Sequence, residues 1–324
     1  MSPATRVAGP ATHRPAATAP LARPVLAVDD LTVRIPMRDG RTVHALSGIT
    51  LDLRPGTVTA LIGESGCGKS MLAAALMRLL PPSARTTGTA RLATPSGVTD
   101  VLSPRCRRGI DIGLVPQSPA TSFTPVRTVG SQIRETITEL GGSHDARDLA
   151  ERAGLPPELL HRYPHELSGG QAQRAAIAAA LAGGPAVLIA DEPTSQLDPA
   201  LARDTHQLLR GLADSGTTIL LISHDLAALH RDGVADRIAV MHASRIMEEG
   251  PATDVLADPW HDYTRGLLAA LPERGLRPLP GKPVSLTDLP EECVYHLRDP
   301  RTRQSGGPTA LIATGDRSVR RRTS

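Results

Sequence analysis

Residues 63–70 read Gly63-Glu64-Ser65-Gly66-Cys67-Gly68-Lys69-Ser70, the spacing G-x-x-x-x-G-K-[ST]. In such a loop the backbone N–H groups cradle phosphates, the lysine reaches the β- and γ-phosphates and the hydroxyl binds Mg²⁺. Lys69 stands out further because the basic residues are otherwise almost all arginine, the one other lysine being Lys282. A compact ammonium serves here as a point charge where a planar guanidinium would not. The run predicts a site for a nucleoside triphosphate. Asp191-Glu192 supplies two adjacent carboxylates: one suited to hold Mg²⁺, directly or through water, the other to polarise an attacking water. Ser168-Gly169-Gly170-Gln171 reads as a helix start, with Ser168 as N-cap and glycines that permit close approach.

These residues need elements to aim them. Val58–Ile62 runs into the glycine-rich loop, 186–190 into Asp191, 218–223 into His224, and 110–115 leads to Gln117. Short apolar runs with β-branched residues predict buried parallel strands. Open α/β sheets bind ligands beyond the carboxyl ends of their strands, where all four groups fall. Helices are expected over 70–80, stopped by Pro81-Pro82, over 168–181, and over 201–213. Residues 25–57 alternate polar and apolar (Leu31, Val33, Ile35; Ile49, Leu51, Leu53) and predict antiparallel strands at one edge. Between Pro119 and Leu167 the chain reads as a helical, loop-rich insert without a strand.

The chain has 324 residues, enough for a full core, and no stretch of about 18 apolar residues. Its first 24 residues lack the apolar centre of a signal peptide and read as a disordered leader, so a cytoplasmic location is expected. Cys67, Cys106 and Cys293 lie far apart and suggest neither disulfides nor zinc. A formal charge of +3 is too small to imply nucleic-acid binding. Much of that excess sits after Pro300, in Arg301, Arg303, Arg317, Arg320, Arg321 and Arg322, and 301–324 is read as a basic, disordered, solvated tail, with weak attraction to an anionic membrane face as the alternative.

Leu167-Ser168-Gly169-Gly170-Gln171 resembles the signature of ATP-binding cassette (ABC) ATPases. The order of elements is also similar: phosphate loop, Gln117, signature, Asp191-Glu192 with Pro193-Thr194, Ser195-Gln196-Leu197-Asp198, then His224. The resemblance covers about residues 25 to 270 and implies an α/β fold: a RecA-like P-loop NTPase cassette over 25–250, with an antiparallel β subdomain and an inserted helical subdomain at about 119–180. It implies ATP and Mg²⁺ as cofactors. Gly63, Glu64, Ser65, Gly66, Cys67, Gly68, Lys69 and Ser70 would bind the nucleotide, with Ser70, Gln117 and Asp191 at the metal. Glu192, His224 and Lys69 would be catalytic. In that family cassettes pair head to tail, so Ser168, Gly169, Gly170 and Gln171 would meet the partner's nucleotide and Asp198 would link the two sites.

One departure concerns the base. The family usually stacks an aromatic ring on adenine from an early loop, and no Phe, Tyr or Trp precedes residue 63. Ile35 is the expected substitute, giving apolar contact without π-stacking and letting GTP compete nearly as well as ATP.

Within the family, Pro116-Gln117-Ser118-Pro119, Tyr163-Pro164-His165-Glu166-Leu167 and His261-Asp262-Tyr263-Thr264-Arg265-Gly266-Leu267-Leu268 resemble the dipeptide, oligopeptide and nickel importer branch, whose C-terminal extension would occupy 251–300. Cys293-Val294-Tyr295-His296-Leu297-Arg298-Asp299-Pro300 keeps the first cysteine of a string found in that branch and has Asp299 at the second, which argues against a metal or iron–sulfur role. The branch implies a second, distinct cassette ATPase, two multi-pass permeases, an extracytoplasmic solute-binding protein, no nucleic acid, and a place on the cytoplasmic face of the cell membrane. An exporter ATPase would share every catalytic residue. A soluble cassette acting on ribosomes or DNA is a third reading, disfavoured by the single cassette and the absence of long heptad runs.

Overall fold

A computed structural model describes residues 23–94, 97–119, 122–290, 292, 294–299 and 307–323. Two sheets organise it. The smaller has the strand order β2-β1-β4-β5, built from β1 (Leu26–Pro36), β2 (Thr42–Leu53), β4 (Arg85–Thr94) and β5 (Gly97–Asp100). Its strands are antiparallel throughout, so the strands expected near 25–57 exist but belong to a sheet of their own.

The larger sheet has the order β11-β12-β10-β9-β3-β8-β7-β6. Strands β3 (Val58–Ile62), β6 (Ile112–Val115), β7 (Val187–Asp191), β8 (Thr218–Ser223) and β9 (Arg237–His242) are parallel. Strand β10 (Arg245–Pro251) turns back along β9, and the hairpin of β11 (Thr309–Thr314) and β12 (Arg317–Arg322) extends that edge.

The parallel strands are covered on both faces. Along β3, Val58, Ala60 and Ile62 join one core while Leu61 joins the other; along β8, Ile219 and Leu221 part from Leu220 and Ile222 in the same way. The first core holds helices α4 (Gly169–Ala180) and α5 (Pro199–Asp214), and the second holds α1 (Lys69–Leu76) and the small sheet. Because side chains alternate across a strand, burial on both faces demands the continuous apolar runs seen in the sequence.

Between 122 and 180 the described residues form α2 (Val129–Leu140), α3 (Ala146–Arg152), short 3₁₀ turns and α4, with no strand among them. Helix α1 ends earlier than expected. Arg78 takes φ 51°, and the Leu79 amide bonds back to the Ala74 carbonyl, so a left-handed residue stops the helix before Pro81 is reached. Beyond β8 come α6 (Leu226–Asp232), α7 (Ala252–Ala257), α8 (Asp262–Ala269) and α9 (Tyr295–Arg298). No helix among the described residues is long and apolar enough to cross a membrane.

The C-terminal reading needs correction. Residues 309–322, expected to be a disordered and solvated tail, are paired strands. Arg317 and Arg320 are buried: Arg317 pairs with Glu248 and lies over the Trp260 ring, and Arg320 donates to the Ile246 carbonyl. An arginine that finds a carboxylate, a carbonyl or a ring face can be buried at a sheet edge, which composition does not reveal. The leader through residue 22, Cys293, Arg301 and Arg303 lie outside the described residues.

Candidate active site

The glycine-rich loop follows β3 directly, and α1 follows the loop. Gly66 and Gly68 take φ 79° and 111°, which only glycine adopts easily, and a Cβ on Gly68 would lie 2.6 Å from the Ala45 carbonyl oxygen. Lys69 is buried; its Nζ donates to the Gly63 and Glu64 carbonyls at 2.7 and 3.0 Å, within the loop it serves.

A cavity of about 300 Å³ lies against this loop, lined by Ser65, Gly66, Gly68, Lys69, Ser70, Met71, Gln117, Glu192 and Leu286. Five of the eight loop residues therefore face it. Gly63, Glu64 and Cys67, expected to touch nucleotide, are not among its lining. The Cys67 side chain is buried in the core and burial pushes its thiol pKa up; its carbonyl accepts from the Ser244 amide at 2.8 Å. Glu64 points away, towards the C-terminal region: Arg298 clasps its carboxylate with both terminal nitrogens, and the Glu64 amide donates to the Tyr263 hydroxyl at 3.2 Å.

Opposite the loop, strand ends deliver the acidic and polar groups. The Ser70 hydroxyl donates to Asp191 Oδ1 at 3.1 Å. Burial raises the Asp191 carboxyl pKa, the Ser70 hydrogen bond opposes that, and neighbouring Glu192 adds to it. Glu192, mostly buried at the end of β7, is held from two sides: Gln117 Nε2 donates to Oε2 at 3.0 Å, and His224 Nδ1 sits 3.2 Å from Oε1. Glu192 has φ 47°, a conformation costly for a side chain of this type and typical of residues fixed for function.

The signature segment is built as its residues predict. Ser168 caps α4, its hydroxyl accepting from the Gln171 amide, while the Gln171 side chain accepts from the Ser168 amide. Asp198 caps α5, accepting from the Ala200 and Leu201 amides. Neither Ser168, Gly169, Gly170 and Gln171 nor Asp198 lines the cavity at the glycine-rich loop. The structure thus brings together the loop, Gln117, Asp191, Glu192 and His224; the signature lies outside that cavity, with Gly169 lining a second one that also reaches Gln117. Tyr263, Leu286 and Arg298 escaped the sequence reading of the site. Only Tyr263 and Arg298 stood in strings that attracted notice, and for other reasons.

A phosphate loop at a parallel strand end, with the Asp191 and Glu192 carboxylates at the end of β7, two strands away across the sheet, defines a P-loop nucleoside triphosphatase. The ABC transporter family model matches residues 46–195, and the model for the oligopeptide/dipeptide transporter C-terminal region matches 247–305. The chain is 36% identical to the probable D,D-dipeptide transport ATP-binding protein DdpD of Escherichia coli K12, over 93% of this chain and 96% of that one. It is 36% identical to the dipeptide transport ATP-binding protein DppD of Bacillus subtilis 168, over 85% and 87%. Among solved structures it is similar to the dimeric bacterial ABC transporter cassette MJ0796, with TM-score 0.58 and 25% identity over 70% of this chain and 98% of that one. It is also similar to cbiO1 of Clostridium perfringens, part of the ABC transporter complex cbiONQ, with TM-score 0.58 and 28% identity over 73% and 92%. The chain belongs to the ABC transporter family, as one of its ATP-binding, ATP-hydrolysing cassettes.

Proposed function

We propose that this cassette hydrolyses ATP to drive import of peptides or a closely related solute, working at the cytoplasmic face of the cell membrane on separate permeases. The observation that carries the reading is one cavity that joins Lys69, Ser70, Gln117 and Glu192, in a chain that also has the oligopeptide/dipeptide C-terminal region.

The loop amides and Lys69 bind the phosphates and hold them in line for attack. Ser70, Gln117 and Asp191 present only oxygen donors, the set a hard cation takes, and Ser70 and Asp191 already touch, so these residues fit Mg²⁺. When bound, Mg²⁺ neutralises charge on the β- and γ-phosphate oxygens. Glu192 orients a water and draws its proton as the water oxygen bonds to the γ-phosphorus and the bond to the β-phosphate oxygen breaks. Gln117 and His224 hold the Glu192 carboxylate in place for this.

The signature helix start faces another molecule's nucleotide. Its uncapped N–H groups suit a γ-phosphate, and their absence from the lining of this chain's own phosphate-loop cavity supports a head-to-tail pair. The partners are a second, distinct cassette subunit, two multi-pass permeases and an extracytoplasmic solute-binding protein. No nucleic acid is involved.

The test uses Glu192→Gln in the complex recovered from native membranes. It is expected to bind Mg-ATP with unchanged affinity and to hydrolyse it roughly 10²–10⁴-fold more slowly. Normal turnover would remove Glu192 from the mechanism. Mass spectrometry of the same complex should find the permeases, the second cassette and the binding protein. A permease without any binding protein would favour export instead.

A further inference from the structure

The cavity at the phosphate loop has two apolar side chains in its lining, Met71 and Leu286. Ile35, the residue the sequence offers for the base, is not among them. Met71 lies in the first turn of α1, next to the phosphate-binding residues. Leu286 reaches the cavity from the C-terminal extension, and several bonds fix it there. Its carbonyl accepts from the His44 amide at 2.8 Å, and Val43 bridges Thr287 in antiparallel fashion. The Thr42 amide donates to Asp288 Oδ1 at 2.9 Å, and the Asp288 amide donates to the Thr42 carbonyl at 2.8 Å.

Residues 286–288 thus add a short rung to β2, which is the free edge of the small sheet. The Leu286 side chain packs with Ala243, Leu289 and Val294, so its position is set from behind as well as along the strand. Val43, beside it, pairs with Ile35 across the hairpin.

A bound nucleotide must lay its phosphates along Lys69 and Ser70, with Gln117 and Glu192 at the reacting end. Its nucleoside must then leave along the remaining wall. We propose that Leu286 is that wall: the specificity-determining residue against which the nucleoside packs, supplied by the C-terminal extension and not by the early hairpin. The inference rests on reading the cavity as the nucleotide site. A leucine offers apolar contact to a purine face but no π-stacking and no hydrogen bond to a base edge, so it holds adenine and guanine almost alike.

The experiment is calorimetric titration of the full chain with Mg-ATP, Mg-GTP and magnesium tripolyphosphate, a probe that has phosphates and no nucleoside. Leu286→Ala should weaken ATP and GTP about 3- to 10-fold, the scale of one lost apolar contact, and leave tripolyphosphate unchanged. Leu286→Trp should tighten ATP binding without changing tripolyphosphate. Retained tripolyphosphate binding also shows that each variant is folded. Equal weakening of all three probes would mean that Leu286 acts through the loop, and would overturn the proposal. So would a loss seen with Ile35→Ala while Leu286→Ala binds as the wild type does. Lys69→Ala separates the underlying reading: it should lose ATP and tripolyphosphate together, and normal binding of both by that variant would reject the cavity as the phosphate site itself.

Discussion

Gly68 shows how much a single residue decides here. Its φ of 111° and the nearby Ala45 carbonyl leave no room for a side chain. Gly68→Ala should lower stability by about 2 kcal/mol and abolish ATP binding, which thermal melting and nucleotide titration would show. A variant that melts and binds like the wild type would mean that the loop relaxes freely. Glu192 is the counterpart among the charged groups, with φ 47° and both carboxylate oxygens engaged. The base contact leads to a second expectation at this scale: GTP should compete with ATP within a few-fold, and strong ATP preference in a competition assay would argue against an apolar, unstacked base site. The phosphate loop, Gln117, Asp191-Glu192 and His224 were legible because each follows a short apolar run that had to be a buried strand. The sequence did not reveal that Glu64 bonds with Arg298 and Tyr263, because both lie far away along the chain.

Among the elements, the C-terminal extension is the one the sequence revealed least. It places Arg298 and Tyr263 against the second residue of the phosphate loop, with His242, His261 and Tyr295 packed around them. Arg298 is nearly fully buried, so Arg298→Ala leaves the Glu64 carboxylate without its partner and should cost about 3 kcal/mol, together with weaker ATP binding. Glu64→Ala added to it should cost little more, a non-additivity that a double-mutant cycle would detect. Burial lowers the pKa of both His242 and His261 to about 3, helped at His242 by the Arg298 charge and at His261 by His242. His261 Nδ1 also accepts from the Tyr263 amide, a bond that protonation there would break. Both histidines are neutral when folded and take up protons near pH 6.5 when unfolded. Their stabilisation is complete above about 6.5 and is lost progressively as pH falls towards about 3. Denaturant midpoints should therefore drop between pH 6.5 and 5, before most carboxylates titrate, and a flat profile there would contradict the burial. Other elements were missed for local reasons. Strand β4, Arg85–Thr94, is mostly exposed and polar and carries few apolar residues to mark it. The β11–β12 hairpin hides its buried positions behind arginines.

At the scale of the whole molecule, the parallel strands and their two cores set one edge of loops together, and Lys69, Gln117, Glu192 and His224 meet there. Ser168–Gln171 are absent from the lining of the cavity that holds Lys69, and the proposed function pairs them with a second molecule's nucleotide. Glu192→Gln with Mg-ATP should therefore associate with a second cassette, seen as a larger species by light scattering, and removal of Mg²⁺ by chelation should disperse it. A species that stays monomeric with ATP bound in the presence of the paired subunit would count against a shared site. The clasp on Glu64 has a consequence in time as well as in space. A ribosome adds roughly 5–20 residues per second, so the phosphate loop leaves it about 10–50 s before Arg298 can follow. During that interval the loop exists without the side chains that hold its second residue, and a nascent cassette stalled before residue 286 would lack both the clasp and the apolar wall of its cavity. A cassette still on the ribosome should therefore grip nucleotide less tightly than the finished chain, and tighten its hold only once residue 298 has emerged.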